Sequence, residues 1–257
     1  MSCVETHHHD DIVELRLARA PVNALDPALC GDLIVALDRA VAGGAAGIVL
    51  SGGPSVFSAG LDVPSLLSLG QDSAALTRAW ELFFEAARAL AACPVPIVAA
   101  IGGHAPAGGC VLALCCDYRV MARSEDAGRP YRIGLNETQV GLVAPEGIQR
   151  LLRRVVGPYR AERMLVAGEL LDAEQALRIG LVDDLASAAD VGARARAWLV
   201  PLLALPRTAM LHTRAIARSD LVEALQPPHI ELARFARDWY RDDTQAALRA
   251  LVAKLGK

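Results

Sequence analysis

Aromatic side chains make up only 4% of the 257 residues, while 53% of the chain is apolar. The core must therefore be built from Ala, Leu and Val, which pack closely in helices and α/β layers. Lysine is nearly absent, standing only at positions 254 and 257, so almost every basic residue is Arg. A dominant charge is lacking too: 26 basic and 29 acidic residues leave a net charge of −3. That balance provides no global basic field for nucleic acid and no polybasic signal for a membrane surface. It also excludes a disordered chain, since such chains are poor in apolar residues and unbalanced in charge.

An unbroken apolar run of the ~20 residues needed to cross a bilayer is missing. The uncharged stretch from Ala89 to Cys116 comes nearest, but Pro94, Pro96, Pro106, two Gly pairs and His104 interrupt it. In lipid these would leave backbone groups unpaired, so the stretch reads as a buried soluble segment. Residues 1–11 carry three His and three acids and no apolar stretch of the signal-peptide type, which predicts a flexible, solvated tail and a cytoplasmic protein. Six cysteines stand at 3, 30, 93, 110, 115 and 116, with no C-x-x-C pair. They read as small buried hydrophobes rather than disulfide or zinc ligands, and no metal is expected.

What is present is an alternation of strand, loop and helix. Ile12 to Leu17 alternates apolar and polar residues, as a half-exposed strand does. Asp26-Pro27 is a helix start, followed by Leu33, Leu37, Ala40 and Val41 at helical spacing up to Gly43-Gly44. Gly47 to Ser51 is a short apolar strand, completing a β-α-β unit with a parallel pair. An amphipathic helix follows from about Ser73 to Ala92. Then come a strand at Pro96 to Ile101, a loop entering a short helix at Pro106 to Cys115, and a strand at Tyr118 to Met121. The order implies an α/β core over residues 12–186 and a helical segment over 187–257. The last helix, from about Ile230 to Leu255, is apolar on more than one face, so it covers either its own core or a neighbouring subunit.

Several catalytic motifs are missing. Gly103 to Gly108 has the spacing of a phosphate loop, but Gly109 and Cys110 stand where that motif needs Lys and Ser or Thr. No G-x-G-x-x-G follows the first strand, which removes the dinucleotide fingerprint. No G-x-S-x-G occurs, which removes the hydrolase nucleophile elbow.

Three segments place small residues, glycine or a carboxylate where an α/β sheet makes loops. They are Phe57-Ser58-Ala59-Gly60-Leu61-Asp62, Ile101 to Cys110 with its P-A-G-G run, and Gly134-Leu135-Asn136-Glu137-Thr138-Gln139-Val140-Gly141. Together they resemble the enoyl-CoA hydratase/isomerase (crotonase) superfamily, and the third is similar to the mitochondrial Δ3,Δ2-enoyl-CoA isomerase branch. The resemblance runs from about Ile12 to the C-terminus. It implies the crotonase-like α/β fold, the ClpP/crotonase spiral of ββα units, with a C-terminal helical segment for oligomerisation and site closure. It further implies an acyl-CoA thioester substrate, a homotrimer or dimer of trimers, and a place in fatty-acid oxidation. Coenzyme A enters as part of the substrate, so no separate cofactor is expected.

The chemistry of these segments agrees with that resemblance. Small residues at Ala59, Gly60, Gly108 and Gly109 let two backbone stretches approach one ligand. The glycine pair opens a helix over Cys110 to Cys115, whose N-terminus offers free N–H groups and a positive dipole end to a developing enolate oxygen. In the family the two oxyanion donors are the N–H after the A-G pair and that of the first glycine of the later pair. Here those positions are Leu61 and Gly108, and losing one such donor costs about 3 kcal/mol of transition-state stabilisation. By the same resemblance the adenine end of coenzyme A lies near Ser58, Ala59, Gly60, Leu61 and Asp62. Its phosphate partners are unassigned, with late arginines and Lys254 as the candidates.

Glu137 is the candidate base. It stands alone as a charge between Ile133 and Ala144, and such surroundings desolvate a carboxylate and raise its pKa toward the working pH. A one-base isomerase takes a proton from C2 of the acyl thioester and returns it at C4. The family's hydratases carry a second Glu three residues after the first glycine of the later pair; Val111 stands there. Losing that acid removes a general acid/base partner that contributes about 10²–10⁴-fold in rate. Asp117, at a helix end, reads as a structural turn acid, and Glu146 as a helix-dipole partner. On the amphipathic helix, Leu76, Trp80, Phe83 and Phe84 are candidate tunnel walls or, as is commoner for aromatics at helical spacing, plain core. The loop Ser124 to Arg132 is longer than the family's usual connection. Two alternatives stay open: hydration or another acyl-CoA reaction at the same site, and a non-catalytic acyl-CoA-binding scaffold.

Overall fold

The computed structural model describes residues 2–255. The chain opens with β1 (Val4–His9) and β2 (Ile12–Leu17), an antiparallel pair in register from Val4↔Leu17 to His9↔Ile12. The flexible tail expected over residues 1–11 is therefore corrected over residues 2–11, Met1 lying outside the described residues. The edge of β2 offers hydrogen bonds to an extended chain, Val4 is buried at 5% exposure, and the Cys3 N–H donates to Asp32 at 2.6 Å. Only part of the strand faces water, including His7 and His8.

Asp26 then caps α1 (Pro27–Ala42) by accepting from the Leu29 N–H at 2.8 Å, with Pro27 at the first helical position. The helix crosses back to β3 (Gly47–Ser51), which pairs parallel with β2. A short α2 (Val63–Ser68) precedes α3 (Ser73–Ala92), which buries Leu76, Trp80, Phe83, Ala87 and Leu90 along one face. Next come β4 (Ile97–Ile101), the two-residue β5 (Ala105–Pro106), α4 (Gly108–Leu114) and β6 (Tyr118–Ala122). The α4 helix starts at Gly108, two residues before the expected Cys110.

The two-residue β7 (Ile133–Gly134) leads to a 3-10 turn at Glu137–Val140, then to α5 (Glu146–Val156), α6 (Pro158–Ala167), α7 (Ala173–Arg178) and β8 (Asp184–Ala186). The main sheet runs β1-β2-β3-β4-β6-β8, parallel throughout except for its first pair, while β5 and β7 form a separate ladder. Strands β3 and β4 are apolar at every inner position because both faces are covered. Ile48, Leu50, Ile97, Ala99 and Ile101 face the larger core, and Val49, Val98 and Ala100 face α8 (Val191–Leu203).

Among the described residues every regular element after β8 is a helix: α8, then α9 (Arg207–Ala217), α10 (Ser219–Ala224), α11 (Pro227–Ile230), α12 (Leu232–Trp239) and α13 (Asp242–Leu255). The single helix expected from Ile230 to Leu255 is thus corrected to separate pieces. Glu231 sits at φ 46°, where a right-handed helix cannot continue, and α12 ends at Trp239 before α13 begins. Phe235, Trp239 and Leu248 are buried in the chain's own core. No described helix is long and apolar enough to cross a membrane, and among the described residues no cluster of three or more His, Cys, Asp or Glu could hold a metal ion.

The helical segment is fastened to the core by one largely buried acid. Asp117, between α4 and β6, accepts from the Ile97 N–H at 2.8 Å, from Arg214 Nε and Nη2 at 2.9 and 2.8 Å, and from Arg218 Nη1 at 3.0 Å. Arg214 Nη1 and Arg218 Nη2 also donate to the carbonyls of Cys93 and Cys115, each at 2.7 Å. Removing one partner of a buried pair leaves uncompensated charge behind. Asp117→Ala is expected to lower the unfolding free energy by about 3–5 kcal/mol, whereas Arg123→Ala, which breaks an exposed pair with Glu174, should cost no more than about 1 kcal/mol. Urea unfolding at fixed protein concentration measures both, and equal losses would show that the triad does not anchor the segment.

Candidate active site

Three loops converge at the ends of β3, β4 and β7. In the first, Val56 bridges to His104 and the Phe57 N–H donates to the His104 carbonyl at 2.9 Å. Leu61 then forms a parallel bridge with Leu25: the Leu25 N–H donates to the Gly60 carbonyl at 2.7 Å, and the Asp62 N–H to the Leu25 carbonyl at 3.1 Å. In such a bridge alternate peptide groups point to opposite sides, so the Leu61 N–H faces away from Leu25. Among the described residues it has no protein acceptor.

The second loop is held by the ladder of β5 with β7, extended by the Ala107 N–H donating to the Gly134 carbonyl at 2.8 Å. Ala107 adopts φ 46° and ψ −119°, a conformation that costs an alanine on the order of 1–3 kcal/mol. That kink starts α4 at Gly108, whose N–H is one of the unpaired donors of a helix N-terminus. The two loops touch. A Cβ built on Gly60 would stand 3.0 Å from the Gly108 nitrogen, and one on Gly108 would stand 3.2 Å from the Gly60 Cα. A side chain at either place would push the Leu61 and Gly108 amides apart.

The third loop continues from β7 into the 3-10 turn that begins with Glu137. Leu61, Gly108 and Glu137 all line one cavity of about 510 Å³. Its charged lining consists of Arg19, Asp62 and Glu137; the remainder is mostly apolar, with Val111 of α4 beside Gly108. Arg19 and Asp62 neutralise each other at 2.7 Å. Burial would raise the Asp62 carboxyl, but hydrogen bonds from Ser65 and Arg19 outweigh it and hold the group below its ordinary value. Among the described residues Glu137 has no such partner. Its residue keeps some surface overall, yet its Oε2 is buried without a hydrogen bond. Burial pushes its pKa up to about 7, opposed only by a hydrogen bond from its own backbone. A carboxylate poised at that value exchanges protons in both directions near neutral pH.

The structure brings Ala59, Leu61, Asp62, Gly108 and Glu137 to the cavity wall, and it keeps Ser58 and Gly60 off that wall. Ser58 is wholly buried, donating to the Asn23 carbonyl at 2.7 Å and accepting from the Gly60 N–H at 3.2 Å. The expected contact of this hydroxyl with coenzyme A is corrected to an internal brace, because Asn23 and Gly60 occupy it and it does not line the cavity. Asp62 reaches the cavity but serves as the cap of α2, accepting from the Ser65 N–H at 3.0 Å. Phe83 and Phe84 line the cavity as expected, while Leu76 and Trp80 do not. Trp80 lies behind the wall, its ring 4.4 Å from that of Phe235 and 5.3 Å from that of Trp239.

Sequence reasoning missed Arg19, Leu142, Ile148, Phe235, Trp239 and Leu251 as wall residues. The apolar second face of the C-terminal helices was the available signal for the last three. Among the described residues Arg19 is the only basic side chain on the cavity wall.

Comparison with known proteins places this geometry in a family. The family model described as Enoyl-CoA hydratase/isomerase matches residues 7–250. A mitochondrial enoyl-CoA delta isomerase 1 of Mus musculus is 32% identical over 98% of this chain and 86% of its own. A probable enoyl-CoA hydratase of Mycobacterium bovis is 35% identical over 86% of this chain and 81% of its own. The crystal structure of human mitochondrial Δ3-Δ2-enoyl-CoA isomerase superposes with a TM-score of 0.91 at 29% identity, covering 99% of this chain and 98% of that one. By the span of the family match and the coverage of these relatives, the chain belongs to the enoyl-CoA hydratase/isomerase family, enzymes of the crotonase fold.

Proposed function

We propose that the protein isomerises 3-enoyl-CoA to 2-enoyl-CoA, with Glu137 as the only acid–base group. One observation carries the reading: a lone desolvated carboxylate shares a cavity with two unpaired backbone N–H groups, and Val111 occupies the place of the hydratases' second acid. The thioester oxygen accepts from the Leu61 and Gly108 N–H groups. Glu137, ionised, removes a proton from C2; the C–H electron pair moves toward the carbonyl, giving a dienolate whose negative charge rests on the oxygen those amides hold. The same carboxyl, now neutral, returns the proton at C4, and the double bond moves to C2–C3. One proton leaves and one returns, so no second acid and no water is needed.

The apolar lining supports this reading, because it excludes the water that would quench the dienolate and strengthens both hydrogen bonds. Hydration is the second reading, favoured by the likeness to the Mycobacterium bovis relative. Addition of water needs one group to deprotonate it and another to protonate the α-carbon, and Val111 supplies neither. A passive scaffold fits less well, since a buried, unpaired carboxylate lowers stability without serving binding.

Incubation with a 3-enoyl-CoA should generate the conjugated thioester, followed by its ultraviolet absorbance. Glu137→Gln should lower kcat/KM by about 10²–10⁴-fold, and unchanged turnover in that variant would eliminate it as the base. For the parent enzyme, log kcat/KM should rise with unit slope and level off near pH 7. Stability moves the opposite way. Between the ordinary glutamate value of about 4.3 and about 7, the folded chain holds a proton that the unfolded chain has released. Stability from this group is thus lost as pH rises through that window. Glu137→Gln should raise Tm relative to the parent at pH 8 and not at pH 4, and equal shifts at both pH values would contradict a desolvated carboxylate. Val111→Glu should raise the rate of 2-enoyl-CoA hydration; no gain would show that the second acid is not what separates the two reactions here.

A further inference from the structure

We propose that Thr244 is a positioning residue for Glu137, through which the C-terminal helix holds the base in place. The inference rests on the reading of Glu137 as the base. Thr244 lies in the first turn of α13, is 1% exposed, and donates its hydroxyl to the Gly141 carbonyl at 2.7 Å across 103 residues of chain. Gly141 ends the 3-10 turn that Glu137 begins. Its N–H points back to the Glu137 and Thr138 carbonyls, and the next N–H, of Leu142, donates to the Glu137 carbonyl at 3.0 Å. Whatever holds Gly141 therefore holds the peptide from which the catalytic carboxylate projects.

The contact is close and specific. Gly141 adopts φ +75°, and a Cβ there would stand 3.0 Å from the Thr244 Cα and 3.3 Å from the Ala247 Cβ. On the opposite side the turn is tied to α6, where the Thr138 hydroxyl donates to the Leu165 carbonyl at 3.1 Å. The turn is thus gripped between α6 and α13, and only the α13 side also closes the cavity, through Leu251 and, from α12, Trp239. Gln245 joins those two helices by donating to the Trp239 carbonyl at 2.8 Å. Docking of the C-terminal segment and alignment of the base are one event in this arrangement.

A displacement of about 1 Å of a reacting group costs on the order of 10²-fold in rate. Thr244→Val keeps the shape and removes the donor, so kcat for 3-enoyl-CoA isomerisation should fall about 10–100-fold while KM stays within about two-fold. Thr244→Ser, which keeps the hydroxyl, should restore most of kcat. Hydrogen-exchange mass spectrometry supplies a readout independent of turnover: peptides covering Gly141 and Leu142 should exchange faster in the Val variant and at the parental rate in the Ser variant. Thr244→Ala takes the place of the Val variant if that protein does not fold.

Parental kcat in the donor-less variant, parental exchange at the turn, or a Ser variant as impaired as Val would each overturn the proposal. A parent enzyme inactive on every 3-enoyl-CoA would instead defeat the isomerase reading. The exchange data then decide whether Thr244 holds the turn.

Discussion

The active-site geometry depends on a contact between two backbones with no side chain between them. Gly60 and Gly108 lie against each other so closely that a methyl group on either would displace its neighbour. The Leu61 and Gly108 amides then open into the same cavity. The contact is maintained by very little regular structure: the isolated bridge of Leu25 to Leu61, and the two-residue ladder of Ala105–Pro106 with Ile133–Gly134. That short ladder also determines where Glu137 goes, because only Leu135 and Asn136 separate it from the end of β7. Position of the proposed base and position of one proposed oxyanion donor are consequences of the same pair of strands.

The site is built at a cost in stability. Ala107 is held in a conformation that alanine avoids, and Glu137 buries an oxygen with no partner. Both are the kind of local penalty that persists only where surrounding structure over-determines it. Here the surroundings are a sheet covered on both faces and a helical segment locked to it by Asp117, Arg214 and Arg218. By contrast, the charged pair nearest to the cavity, Arg19 with Asp62, is satisfied. The wall therefore presents one reactive charge rather than three.

Much of the fold was legible because its signals are local. The Asp26 cap, Pro27 at the helix start, the 3.6-residue spacing of α3 and the apolar runs of β3 and β4 each lie within a few residues of what they specify. The first strand is not legible locally, because the histidines of Val4–His9 have the composition of a solvated tail and an edge strand is stabilised by its neighbour rather than by its own composition. The C-terminal break is not legible for a related reason: nothing about Glu231 as a residue type demands a left-handed backbone. Ser58 is the opposite case: a hydroxyl beside a glycine is available by sequence, and in the fold the Asn23 carbonyl accepts from it.

The amino-acid sequence by itself determined the succession of strands and helices, the glycines that allow two loops to meet, and the isolation of one acid in an uncharged stretch. These follow from side-chain size, backbone freedom and periodicity, all short-range properties. Only the tertiary structure decided how far this acid loses water, which pieces of the helical segment, α12 and α13, close the cavity, and that Thr244 reaches Gly141. Desolvation and closure are sums over atoms brought from distant parts of the chain, and no window of sequence contains them.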